Sequence, residues 1–132
     1  PDDFLFCLKV PQEITHGNKL EQCQGRLEEL LAEIEALGEK RALLLVQTPP
    51  SLAFREKVAQ EFFLQLGRAT QCGVVCEPRH PSWFEPGAEL LLRRHRVARV
   101  AADPSPVPQA GQPGGWEGLR YYRWHGSPRV YY

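Results

Sequence analysis

Short apolar runs alternate with helical stripes along this chain, and that alternation restricts the fold more than any other feature. Five runs read as strands: Phe4 to Val10, Ala42 to Gln47, Gly73 to Glu77, Val97 to Ala102 and Leu119 to Trp124. Leu43-Leu44-Leu45-Val46 and Val74-Val75 are apolar at consecutive positions, as expected of strands covered on both faces. Between the first two runs, Leu20, Cys23, Leu27, Leu30, Leu31, Ile34 and Leu37 recur at intervals of three and four, one apolar helix stripe. Asn18 with Glu21 marks a start for that helix and Gly38 a stop. Phe54, Val58, Phe62 and Leu66, followed by Gly67, predict a second helix, and Pro86 opens a third that continues from Glu89 to His95.

The order β-α-β-α-β-α-β predicts parallel strands joined by crossover helices. An open doubly wound sheet and a closed parallel barrel both satisfy it, and periodicity does not choose between them. From Asp103 to Gly118 the chain turns rich in proline and glycine. A connection longer than about 12 to 15 residues is unusual in a compact domain and is either functional or a tolerated surface insertion. The chain begins at Pro1-Asp2-Asp3 directly before a strand-like run and ends at Val130-Tyr131-Tyr132, so both ends read as cut.

Composition narrows the function classes. The 132 residues carry 16 Lys+Arg and 16 Asp+Glu, a formal net charge of zero. That balance argues against a broad nucleic-acid surface or a polybasic membrane patch. No apolar run approaches the roughly 20 residues of a membrane span, and the opening residues show no signal-peptide pattern. Cys7, Cys23, Cys72 and Cys76 lack Cys-x-x-Cys spacing, so they read as buried thiols of a cytoplasmic protein rather than zinc ligands or a redox pair.

In parallel α/β folds, ligands bind at the carboxyl ends of the strands. Polar residues fall there repeatedly: Lys9, then Gln47, then Glu77, Arg79 and His80, then Asp103, then Arg123 and His125. Side chains two apart share a strand face, which sets Lys9 with Cys7 against the Phe-rich face, Glu77 with Arg79, and Arg123 with His125. The densest cluster is Glu77-Pro78-Arg79-His80-Pro81-Ser82-Trp83-Phe84, whose prolines hold the backbone extended. Glu77 suits an acid or base, Arg79 an anion clamp, and Trp83 a pocket wall. The plainer reading is that strands end where polar loops begin, and that a Glu-Arg pair only braces the fold.

No Walker loop, dinucleotide fingerprint or nucleophile elbow occurs, and no cofactor is expected. His16, Glu77, His80, Asp103 and His125 together would offer nitrogen and oxygen donors to a metal, but no local ligand spacing supports that. His95, among Arg93, Arg94 and Arg96, reads as a solvated helix end.

Lys9-Val10-Pro11 with Ile14-Thr15-His16, Gln47-Thr48-Pro49-Pro50-Ser51, the segment from Glu77 to Phe84, Ala102-Asp103, and Tyr122-Arg123-Trp124-His125-Gly126 together resemble the YecE-like family, a domain of unknown function. One departure is Glu77-Pro78, where the family pattern places an aromatic before the Arg. The resemblance implies a TIM-type (β/α) barrel, present here as a single domain of about five strands similar to the third to seventh of that fold. It implies no reaction.

The leading functional expectation is an enzyme acting on a small polar or anionic molecule at the barrel mouth. Glu77, Arg79, Lys9, His125 and Asp103 would be catalytic, and Gln47, His16, His80, Trp83 and Arg123 would bind substrate. The alternatives are a metal-dependent, nuclease-like hydrolase and a non-catalytic binding or scaffold protein.

Overall fold

A computed structural model describes residues 5–36, 41–105 and 107–124. Strands β1 (Leu5–Lys9), β2 (Arg41–Gln47), β3 (Gly73–Glu77) and β4 (Val97–Arg99) lie side by side in that order, each parallel to the next. Helices α1 (Gln24–Ala36), α2 (Glu56–Ala69) and α3 (Pro86–Arg94) fall between them in the chain. The fold is mixed α/β built on a parallel sheet. Among the described residues that sheet does not close on itself.

Register sorts the side chains into two layers. Leu8, Leu44, Val74 and Val97 stand in one row across the sheet. They pack into one core with Leu27 and Leu30 of α1, Phe62, Phe63 and Leu66 of α2, and Leu91 and Leu92 of α3. Each such Leu or Phe contributes about 1.5–3 kcal/mol by leaving water. The alternate row of Lys9, Leu45, Val75 and Ala98 faces the other way. There Leu45, Val75, Ala98 and Val100 form a small second cluster with Leu119 and Tyr121. All three helices therefore cover one face, and the opposite face carries a thin apolar layer that turns polar at Gln47 and Glu77.

The first helix starts later than its stripe predicts. Residues Glu13–Gly17 form a wide π-type turn, and Lys19, Leu20 and Gln22 adopt positive φ, which ends any helical path before Gln24. Leu20 and Cys23 are nonetheless buried in the helix-side core. Periodicity registers burial and is blind to the backbone route that achieves it. Gly38 lies outside the described residues.

The fourth predicted strand divides at Val100. Its second half, β5 (Ala101–Asp103), pairs in parallel with β7 (Tyr122–Trp124). The predicted start of the last strand at Leu119 is too early, because Leu119 and Tyr121 pack into the second cluster before regular pairing begins. The Pro- and Gly-rich connection returns along the flank of β4, where β6 (Gly114–Gly115) pairs antiparallel with it. The Glu89 carboxylate of α3 fixes this return, accepting from the Gly115 N–H at 2.8 Å and from Arg99 at 2.7 Å. The Arg99 guanidinium also covers the Phe84 ring at 4.7 Å. None of this was visible in a glycine dipeptide without side-chain pattern.

Gly115 has φ +66°, and a Cβ there would stand 2.5 Å from the Val97 carbonyl oxygen. Gly115→Ala is therefore expected to cost about 1–2 kcal/mol from the left-handed backbone alone, read as a lower urea midpoint. An unchanged midpoint would mean that Gly115 does not lie against the Val97 carbonyl.

All four cysteines are free. Cys23 and Cys76 are buried as expected, but Cys7 is exposed, because it faces away from the helices on an edge strand.

Candidate functional site

Three strands deliver their polar ends to one place on the face away from the helices. Gln47 and Glu77 are register partners on β2 and β3, and Arg123 arrives from β7. The Glu77 carboxylate is nearly enclosed, its side chain 5% exposed. Arg123 donates to Oε1 at 2.8 Å, Gln47 Nε2 donates to Oε2 at 2.6 Å, and Arg79 reaches Oε2 at 3.5 Å. Burying a carboxylate is tolerable only when its lone pairs are filled in this way.

The two arginines are unequal. Arg123 is 26% exposed and close, whereas Arg79 is 44% exposed and at the limit of a hydrogen bond. Arg123 is thus the structural counter-ion and Arg79 the looser one. The spacing of two along a strand pairs Glu77 with Arg79 and carries no sign of the closer partner on β7.

Lys9 is exposed at the end of β1, on the same face as Leu45. His16 sits in the turn that follows, its Nδ1 2.7 Å from the hydroxyl of the buried Thr15. Burial, then the charges of Lys9 and Arg79, hold the His16 pKa below its usual 6.5. Lys9 shares the sheet face on which Arg79 meets Glu77, and His16, in the turn directly after β1, feels the charge of both.

This shift has a sign that can be measured. The folded protein takes up the His16 proton at lower pH than the unfolded chain does. The unfolded state binds more protons as pH falls below about 6.5, so stability is lost between 6.5 and the folded value. Above that window His16 adds no pH dependence. Lys9→Met is expected to raise the His16 pKa, followed by the imidazole proton shifts in NMR. An unmoved titration would contradict the proximity of the two groups.

Other expected site residues are placed elsewhere. Trp83 does not wall a pocket: it is 1% exposed in the helix-side core, its indole N–H bonded to the Leu52 carbonyl at 2.9 Å and its ring edge-on to Phe54. His80 is committed to a cap. Its Nδ1 accepts from the Ser82 N–H at 3.1 Å and lies 2.8 Å from the Ser82 hydroxyl, which in turn accepts from the Phe54 N–H. Because a backbone N–H only donates, Nδ1 is an acceptor there. Asp103 stands beside Trp124 in the β5–β7 register, whereas Arg123 stands beside Ala102. Adjacent positions on a strand face opposite ways, so Asp103 turns from the side on which Arg123 meets Glu77. His125 lies outside the described residues. Among the described residues no group of three or more His, Cys, Asp and Glu side chains is placed to hold a metal ion.

Two site neighbours carry no role in the sequence reading. Tyr121 lies on the Arg123 face, where a hydrogen bond with the Cys7 thiol and burial raise its pKa. Thr15 anchors His16. Alternation and adjacency were the available signals, but neither distinguishes a tyrosine or threonine near a site from one that merely packs. No helix among the described residues is long and apolar enough to cross a membrane.

Comparisons with known proteins agree on one family. The sequence profile of a family described as a protein of unknown function, DUF72, matches residues 1–132. The chain is 34% identical over 112 residues to the UPF0759 protein YecE of Escherichia coli K12, covering 80% of this chain and 40% of that protein. The YecE protein of Escherichia coli O157:H7 is 33% identical with the same coverage. A solved DUF72 family protein of Thermotoga maritima MSB8 superposes with a TM-score of 0.72 at 27% identity, over 98% of this chain and 52% of that one. A second, from Enterococcus faecalis v583, reaches a TM-score of 0.74 at 18% identity, over 97% and 52%, and shows likeness of fold alone. The chain spans about half the length of these solved relatives, and less of the curated ones.

Proposed function

This chain belongs to the DUF72 family of proteins of unknown function, and from that membership we propose that it is part of a TIM-type barrel enzyme acting on a small polar or anionic molecule. The barrel reading rests on the helices. A doubly wound sheet carries helices on both faces, whereas here α1, α2 and α3 all cover one. The described strands then correspond to the third to seventh of the barrel. Four free thiols suit a reducing compartment such as the cytoplasm.

The observation that carries the reading is the enclosed Glu77 carboxylate, held by Gln47 and Arg123 with Arg79 loosely attached. Arg79 is the member able to swing onto an anionic ligand, and its departure frees an Oε2 lone pair for proton transfer. Lys9 adds positive potential, and His16 is a neutral imidazole suited to relaying a proton. His125 follows directly on the strand that carries Arg123 and completes the catalytic set.

The test is a thermal-shift screen of the full-length protein against polar metabolites. Ligands whose stabilisation disappears in Glu77→Gln support the enzyme reading. A screen with no such ligand would instead favour a scaffold whose polar mouth is only a charge network.

A further inference from the structure

We infer that the Lys9, His16 and Arg79 side of the mouth is a subsite for a doubly charged oxyanion, the phosphoryl group of a phosphate monoester or free phosphate. This deepens the proposed function and rests on it. Arg123, at 2.8 Å, matches the single charge of Glu77. Arg79 is left at 3.5 Å with its side chain 44% exposed, and Lys9 is exposed without an ion pair among the described residues. Among the described residues, two cations thus remain near Glu77 without a carboxylate of their own.

His16 stands among them as a neutral imidazole rather than a third charge. The contact of 2.7 Å between its Nδ1 and the buried Thr15 hydroxyl fixes the ring and leaves Nε2 for another partner. Burial and both cations favour its neutral form. Two cations beside a neutral imidazole suit a dianion better than a single carboxylate, and a guanidinium adds two parallel N–H groups to phosphoryl oxygens.

Inorganic phosphate is the probe, titrated into the full-length protein by calorimetry and by NMR of the His16 imidazole. Phosphate is expected to raise the His16 pKa, because the dianion offsets Lys9 and Arg79. Lys9→Met and Arg79→Met should each weaken phosphate binding at least 10-fold, and Lys9→Arg should keep it within about 3-fold of the parent. Acetate should bind at least 10-fold more weakly than phosphate. Phenyl phosphate binding as well as phosphate assigns the subsite to monoesters, whereas its exclusion assigns it to the free ion.

Phosphate affinity unchanged in both Met variants, or acetate binding equally well, overturns the subsite. If phosphate fails to bind while a neutral ligand binds and is lost in Glu77→Gln, the subsite is wrong and the proposed function stands. If no ligand binds at all, both fall.

Discussion

Trp83→Ala is expected to lower the unfolding free energy by about 3–5 kcal/mol, the usual cost of emptying a large aromatic site. The indole is 1% exposed and packed edge-on to Phe54 with ring centres 5.1 Å apart. Its N–H fills the Leu52 carbonyl at 2.9 Å. Truncation therefore leaves both a cavity and an unpaired carbonyl. Trp83→Phe keeps most of the volume and should cost about 1–2 kcal/mol for the lost hydrogen bond. Urea unfolding of the two variants measures the difference, and an alanine variant less than 1 kcal/mol below the parent would contradict the buried position. The same experiment decides what the Arg-His-Pro-Ser-Trp segment does. Ser82, held by His80, and Trp83 tie it to Phe54 and Leu52, so its conspicuous sequence reports folding as much as chemistry.

The second large effect concerns Glu77 and Arg123. Arg123→Met strands a carboxylate that is 5% exposed, and the expected loss is about 3 kcal/mol, the lower end for a broken buried pair because Arg123 is itself 26% exposed. Glu77→Gln should cost less, about 1–2 kcal/mol, since the freed guanidinium can turn to water and the amide can still accept a hydrogen bond. The double variant should recover much of the summed loss, the signature of direct coupling. Additive losses would mean that the 2.8 Å contact carries no energy.

Much of the fold was legible because burial leaves a trace in residue order. The consecutive apolar positions Leu44, Leu45 and Val46 on β2 and Val74, Val75 and Cys76 on β3 can be read as strands covered on both sides, and Gly73–Glu77 appears with the bounds predicted. What could not be read depended on backbone geometry or on partners distant in sequence. The positive φ of Lys19, Leu20 and Gln22 displaced the start of α1. The seat of Gly115 depends on Glu89 and Val97, far from it along the chain.

The site shows the same division. Strand ends placed Gln47, Glu77 and Arg123 at one end of the sheet, and strand register brought them together on one face. Sequence spacing favoured Arg79 as the partner of Glu77, yet Arg123, 46 residues away, holds it more closely. Asp103 was misplaced by one step of strand alternation, and Trp83 by the assumption that an aromatic near polar residues lines a pocket.

That ranking of the two arginines supplies the most direct measurement. Arg79→Met in the full-length protein should leave the melting temperature within about 2 °C of the parent, because an exposed and distant ion pair contributes only about 0–1 kcal/mol. The same variant should lose the melting shift that a mouth ligand gives the parent. A melting temperature that falls sharply while the ligand-induced shift survives would make Arg79 a brace, and would contradict the placement of the functional site around Glu77.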